Sequence, residues 1–233
     1  TEWRLVGPGL CAYISWLHFR MNMTIRKIRE FLWESFRLTL SDGSIQKCIM
    51  EAARATDPVL LLIIACLLND PLMYADETSH KQAGAPCWLW TMITVSAVLF
   101  MIGRRTKDIW NTIGAIYKGW LMSDGYIVYR DYEKRLRCWA HLYRKAQGLA
   151  DTYTPSIQAY GRQLLEMMDA MIEGIYNARE GPGGSIKAKF QNELNRFKAL
   201  CEEMANSTHK KTRELGREFL NDWDAIFRIL DHP

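Results

Sequence analysis

Residues 87–103 read CWLWTMITVSAVLFMIG, 17 positions without a charge, closed by Arg104 and Arg105. A helix crossing the ~30 Å hydrocarbon layer takes roughly 17–25 apolar residues at about 1.5 Å each, so this run meets the lower limit. A second uncharged run, PVLLLIIACLL at residues 58–68, holds 11 residues and leads into Asn69, Asp70 and Pro71. It reaches spanning length only if Asn69 and Asp70 are carried along and the helix continues to about residue 75. Together the runs suggest a transmembrane hairpin of about 58–75 and 87–103. One true span beside a half-inserted helix is an alternative. A soluble helical core is another, which the mean hydropathy of −0.19 keeps open.

The flanking charges favour the hairpin. Residues 58–103 carry 1 basic against 3 acidic side chains, residues 1–57 carry 8 against 6, and residues 104–150 carry 10 against 4. The connection holding Asp70, Asp76 and Glu77 is therefore acidic and both flanks are basic, which under the positive-inside rule places both termini on one side, cytoplasmic or matrix. Trp88 and Trp90 fit an interfacial aromatic belt. Arg104, Arg105 and Lys107 are placed to meet anionic headgroups such as those of cardiolipin. Asp70 is the candidate functional carboxylate near the membrane; its other reading is a turn cap with Asn69 and Pro71.

Composition excludes several classes. With 15 Gly and 7 Pro among 233 residues and 48% apolar content, the chain is neither collagenous nor disordered. Six cysteines without a CxxC pair give neither a disulfide scaffold nor a metal ribbon. Residues 1–20 lack the basic-then-apolar order of a secretory signal. The start at Thr1 is compatible with a processed N-terminus and equally with a truncated sequence.

Outside the two runs the pattern is helical. Ile25, Ile28, Leu32 and Phe36 form one stripe opposite Arg26, Lys27, Arg29, Glu30, Glu34 and Arg37, so residues 1–57 read as amphipathic helices lying on a membrane surface or packed on a protein core. From residue 104 onward, Ile109-Ile113-Ile116-Trp120 and Tyr129-Tyr132-Leu136-Trp139-Tyr143 mark two stripes. Thr154-Pro155 opens a third helix, and further stripes run from Phe190 to Met204 and from Leu215 to Leu230. The expectation for 104–233 is a soluble helical hairpin or bundle with a linker at 181–185.

Catalytic motifs are weak. Gly181-Pro182-Gly183-Gly184-Ser185-Ile186-Lys187 lacks phosphate-loop spacing and a preceding strand. Glu77-Thr78-Ser79-His80 is a single Glu-x-x-His, where a di-iron bundle needs two. His18, His141, His209 and His232 have no partner at ligand spacing. Between Tyr126 and Lys145, aromatics interleave with Arg130, Lys134, Arg135, Arg137, Arg144 and Lys145. This resembles a single-strand binding surface, but the aromatics keep to one stripe, which favours lipid contact or salt bridges over nucleic acid.

Residues 36–76 resemble the central segment of the peroxins that elongate peroxisomal membranes. The matching features are Arg37-Leu38, the alanine-bearing stretch to Ala55, Asp57 to Leu60, and Tyr74 to Asp76, the last spacing one residue short. The resemblance covers under a fifth of the chain and assigns no functional residue.

The sequence thus predicts an all-α integral membrane protein with a transmembrane helical hairpin and a soluble C-terminal helical domain. The expected role is a non-catalytic accessory subunit of a multi-subunit organellar complex. Its expected place is the mitochondrial inner membrane, in a respiratory complex or ATP synthase, with both termini in the matrix. The expected partners are other subunits and membrane lipids, with no nucleic acid, cofactor or metal. The rival readings are a membrane-shaping protein inserting amphipathic helices and a transporter or channel component using Asp70.

Overall fold

A computed structural model describes residues 6–181 and 184–232. It divides into two compact units, Thr1–Ala65 and Cys66–Pro233. In the first unit, α1 (Pro8–Phe19), α2 (Ile25–Phe36) and α3 (Asp42–Ala55) follow one another. Thr24 and Ser41 cap α2 and α3 by accepting from the backbone N–H of Lys27 and Ser44. Ile14, Leu17, Ile28, Leu32 and Ile45 form a buried core. Within it, the Cys11 and Cys48 Sγ atoms lie 3.1 Å apart. The Ile28–Leu32 stripe of α2 is thus buried within protein.

The first apolar run is helical, but short. It lies in α4 (Asp57–Asn69), whose 13 residues span only about 20 Å, well under the hydrocarbon thickness. Among the described residues no helix is long and apolar enough to cross a membrane. The expected transmembrane hairpin, and with it the all-α integral membrane fold, is therefore corrected.

The second run is not helical. It forms two strands, β2 (Ala85–Ile93) and β3 (Val98–Gly103), after β1 (Leu72–Gln82). Threonines, aromatics and β-branched residues suit a pleated surface, and burial alternates along β2, with Trp90 and Met92 inside and Ile93 outside. The Thr94 backbone N–H donates to the Ala97 carbonyl, turning the chain where a helix would have continued. On β3, Leu99 is buried while Val98, Phe100 and Ile102 are exposed. Apolar residues on both strand faces imitate the unbroken hydropathy of a span.

Two further strands, β4 (Trp120–Ser123) and β5 (Arg135–Arg137), complete a mixed sheet of order β3-β2-β1-β4-β5. β1–β2 and β2–β3 pair antiparallel; β1–β4 and β4–β5 pair parallel. Ala83 and Gly84, both at positive φ, form the two-residue turn of the β1–β2 hairpin. α5 (Lys107–Gly114) leads from β3 toward β4. After β5 come α6 (Trp139–Ala150), α7 (Pro155–Arg179), α8 (Gln191–Ala205), α9 (Lys210–Asn221) and the short α10 (Trp223–Phe227). Their facing residues, including Leu142, Leu164, Met168, Phe197, Phe219 and Phe227, make one core, against which Leu72, Trp120 and Met122 of the sheet also pack. Of the expected linker at residues 181–185, Pro182 and Gly183 lie outside the described residues.

Candidate active site

The parallel ladder between β1 and β4 ends at the pair Ala75–Ser123. The next residue on each side is an aspartate, Asp76 and Asp124. Neighbouring strands lie ~4.8 Å apart, so the register brings the backbones of these two aspartates alongside each other at the C-terminal end of β4. Ligand clefts of open α/β sheets form at such strand ends. Asp76 is exposed between buried Ala75 and Glu77, which puts it on the sheet face that Leu72 shares with the helical core. Two backbone amides hold the carboxylates: the Glu77 N–H donates to Asp76 Oδ1 at 2.9 Å, and the Tyr126 N–H to Asp124 Oδ1 at 2.8 Å.

His141, in the first turn of α6, places Nε2 3.9 Å from Asp76 Oδ2. Its Nδ1 is buried without a hydrogen-bond partner. Beside Asp124 opens a cleft of about 480 Å³, whose lining includes the cations Arg105, Arg130, Lys145 and Arg217. Glu218 and Asp222 stand among them. Arg137 is bonded to both, Arg135 to Asp222 at 2.7 Å, and Lys145 to Glu218 at 2.7 Å. Burial pushes the Glu218 carboxyl up, but hydrogen bonds and charge from Lys145 and Arg137 outweigh it and leave Glu218 below its ordinary value.

On the opposite sheet face, Glu77 has a fully buried side chain. Its carboxylate accepts from Tyr129 Oη at 2.7 Å and from Arg105 Nε and Nη2 at 3.0 and 2.8 Å. Burial raises the Glu77 carboxyl, those bonds pull it down and Asp124 pushes it up again, with a net rise. Burial and the neighbouring Glu77 also push the Tyr129 phenol up.

Several residues singled out from the sequence have other surroundings than those expected. Trp88 lies over the Arg105 guanidinium, 4.4 Å from its ring centroid. Trp90 is buried and donates its indole N–H to the Arg104 carbonyl. Lys107 pairs with Asp131 at 2.5 Å. Asp70 accepts from the Ser96 hydroxyl at 2.6 Å and from its backbone N–H at 3.1 Å, so it staples the β2–β3 turn. Hydrogen bonds from Ser96 and Thr94 hold its carboxyl below the ordinary value. Asp76, Asp124 and His141 were missed as a site. The signal for the first two was present as two short apolar runs each closed by an acid, LMYAD at 72–76 and WLMSD at 120–124.

The model of the transposase IS66 family matches residues 4–233. The chain belongs to that family. No curated protein matches it. Membership of the transposase IS66 family overturns the peroxin resemblance, whose matched residues were common types over a short segment. The non-catalytic subunit of a respiratory complex or ATP synthase is corrected by the same finding, as are the membrane-shaping and transporter alternatives. So is the exclusion of nucleic acid in favour of lipids and membrane subunits, since transposition is chemistry on DNA. The mitochondrial inner-membrane location fails with its spans, because no described helix has the length and apolarity to cross a bilayer.

Proposed function

We propose that this chain carries part of the phosphodiester-cleaving and strand-joining centre of a DNA transposase, with Asp76 and Asp124 as its paired carboxylates. The observation that carries the reading is the β1–β4 register, which sets two aspartates from distant parts of the sequence beside each other at a strand end. Among the described residues no group of three or more His, Cys, Asp or Glu side chains forms a metal cage. Two carboxylates nonetheless suit a hard divalent cation such as Mg²⁺, which keeps several waters and is bound through one or two carboxylates together with substrate phosphate oxygens. A cation held there supplies Lewis acidity at a phosphate oxygen and a more acidic bound water.

The chain's own residues account for the rest of the proposal. Asp76 and Asp124, fixed by neighbouring backbone amides, present oxygen ligands in a defined direction. Arg130 and Arg217 on the cleft wall offer positive charge to a phosphate backbone. His141 brings an imidazole nitrogen next to Asp76, at the edge of the reacting space. Cleavage would attach a water oxygen to phosphorus while the P–O bond to the leaving nucleoside breaks, the leaving oxygen taking up a proton.

The test is Mg²⁺-dependent cleavage of DNA carrying the ends of the parent element. Asp76→Asn and Asp124→Asn each abolish cleavage while leaving the circular dichroism spectrum unchanged. Full cleavage by either folded variant overturns the assignment.

A further inference from the structure

The two amides that hold the carboxylates belong to Glu77 and Tyr126, and one side chain joins these residues. Arg105 makes two hydrogen bonds to Glu77 Oε1 and lies against the Tyr126 ring, its guanidinium carbon 3.9 Å from the centroid. Trp88 covers the other ring contact at 4.4 Å. Tyr126 Oη then returns a 2.8 Å hydrogen bond to the Arg105 carbonyl. Tyr129 closes the second Glu77 oxygen and is itself wedged edge-on against Trp90 and Trp110. A continuous circuit thus runs from Asp76 through Glu77, Arg105 and Tyr126 to Asp124, with Arg105 and Tyr126 on the wall of the cleft beside Asp124.

Burying a carboxylate is costly unless its hydrogen bonds are complete, and removing one partner of such a pair is strongly destabilising. Here the buried Glu77 carboxylate ties β1 to Arg105, in the connection after β3, and to Tyr129, in the segment after β4. An arginine is suited to this because its planar fork can bond a carboxylate while its flat face stacks on aromatic rings. A lysine could do one or the other.

We propose that Glu77, through Arg105 and the Tyr126 ring, is a positioning residue that fixes the separation and direction of Asp76 and Asp124 for divalent-cation binding. The inference rests on the carboxylate assignment made above. It assigns Glu77 no contact with substrate or cation. Supports of this kind around metal ligands are worth 10–100-fold in metal affinity.

The experiment measures Mn²⁺ affinity of the full chain by electron paramagnetic resonance of the free ion, with circular dichroism and thermal midpoint as fold controls. Glu77→Gln and Tyr126→Ala each weaken Mn²⁺ binding about 10–100-fold in folded protein, and Tyr126→Phe, which keeps the ring and the backbone N–H, restores most of it. Asp76→Asn serves as the reference. If Asp76→Asn abolishes binding while Glu77→Gln and Tyr126→Ala retain wild-type affinity, the positioning role is refuted and the carboxylate assignment stands. If Asp76→Asn itself binds Mn²⁺ normally, the carboxylate assignment falls and takes the positioning role with it. Should Glu77→Gln fail to fold, the Tyr126→Ala and Tyr126→Phe pair decides, because Tyr126 lies in a partly exposed loop.

Discussion

Asp124 and Glu218 show how differently two carboxylates can be used within one cleft. Asp124 is bonded to a backbone amide and faces open space, whereas Glu218 is consumed by Arg137 and Lys145. Because the fold favours ionised Glu218, it binds that proton less tightly than the unfolded chain does. Its stabilisation is complete above the ordinary value of 4.5 and is lost as pH falls through the depressed folded value. Glu77 acts with the opposite sign: its raised carboxyl binds a proton more tightly in the fold, so its share falls as pH rises above 4.5. Glu218→Gln therefore flattens the acid limb of the stability curve and costs about 1–3 kcal/mol near neutral pH, as Arg137 loses a charged acceptor. Urea midpoints of wild type and variant across the acid range check both claims, and parallel curves would contradict them.

At the scale of elements, most helices were legible and strands were not; the Tyr129–Tyr143 stripe, read as helical, holds β5 and only the start of α6, and Trp120 of the preceding stripe lies in β4. α7 follows from Thr154-Pro155, with proline at its first turn, and from the stripe Leu164, Met168, Met171 and Ile175, all buried. The break between α8 and α9 falls where the apolar stripe falters, at residues 206–209. The sheet escaped notice for two physical reasons. β4 and β5 are 4 and 3 residues long, too short for a period of two to show. β3 keeps apolar side chains on its exposed face, which removes the alternation that marks a strand. The carboxylate pair was hidden in consequence, because only strand register brings Asp76 to Asp124. The contact between α6 and α7 gives a sharper prediction. A Cβ on Gly161 would sit 2.2 Å from the Ala150 backbone nitrogen and 2.8 Å from the Ala146 carbonyl oxygen, where no side chain can yield. Gly161→Ala forces the helices apart and costs about 1–3 kcal/mol or more, read as a lower thermal midpoint. A midpoint unchanged from wild type would show that this close approach is not required.

For the whole molecule, the division into two units with separate cores has a thermodynamic signature. Leu32 is fully buried in the first core and Phe197 in the second. Calorimetry should resolve more than one transition, because chains with several cores depart from two-state unfolding. Leu32→Ala lowers one transition by the equivalent of about 2–5 kcal/mol and Phe197→Ala the other by about 3–5 kcal/mol. A single transition moved equally by both substitutions rules out independent units. The smaller core also contains the Cys11–Cys48 contact, close enough for a crosslink to be anticipated under air. Thiol chemistry argues otherwise. Burial first, and then the Cys11 thiol, push Cys48 up to about 12, so its thiolate is a minor form near pH 8. Oxygen and peroxide consume thiolates, and both sulfurs are shielded from solvent. The pair should therefore outlast exposed Cys66 during storage without reductant, its resistance set by how often the three helices open.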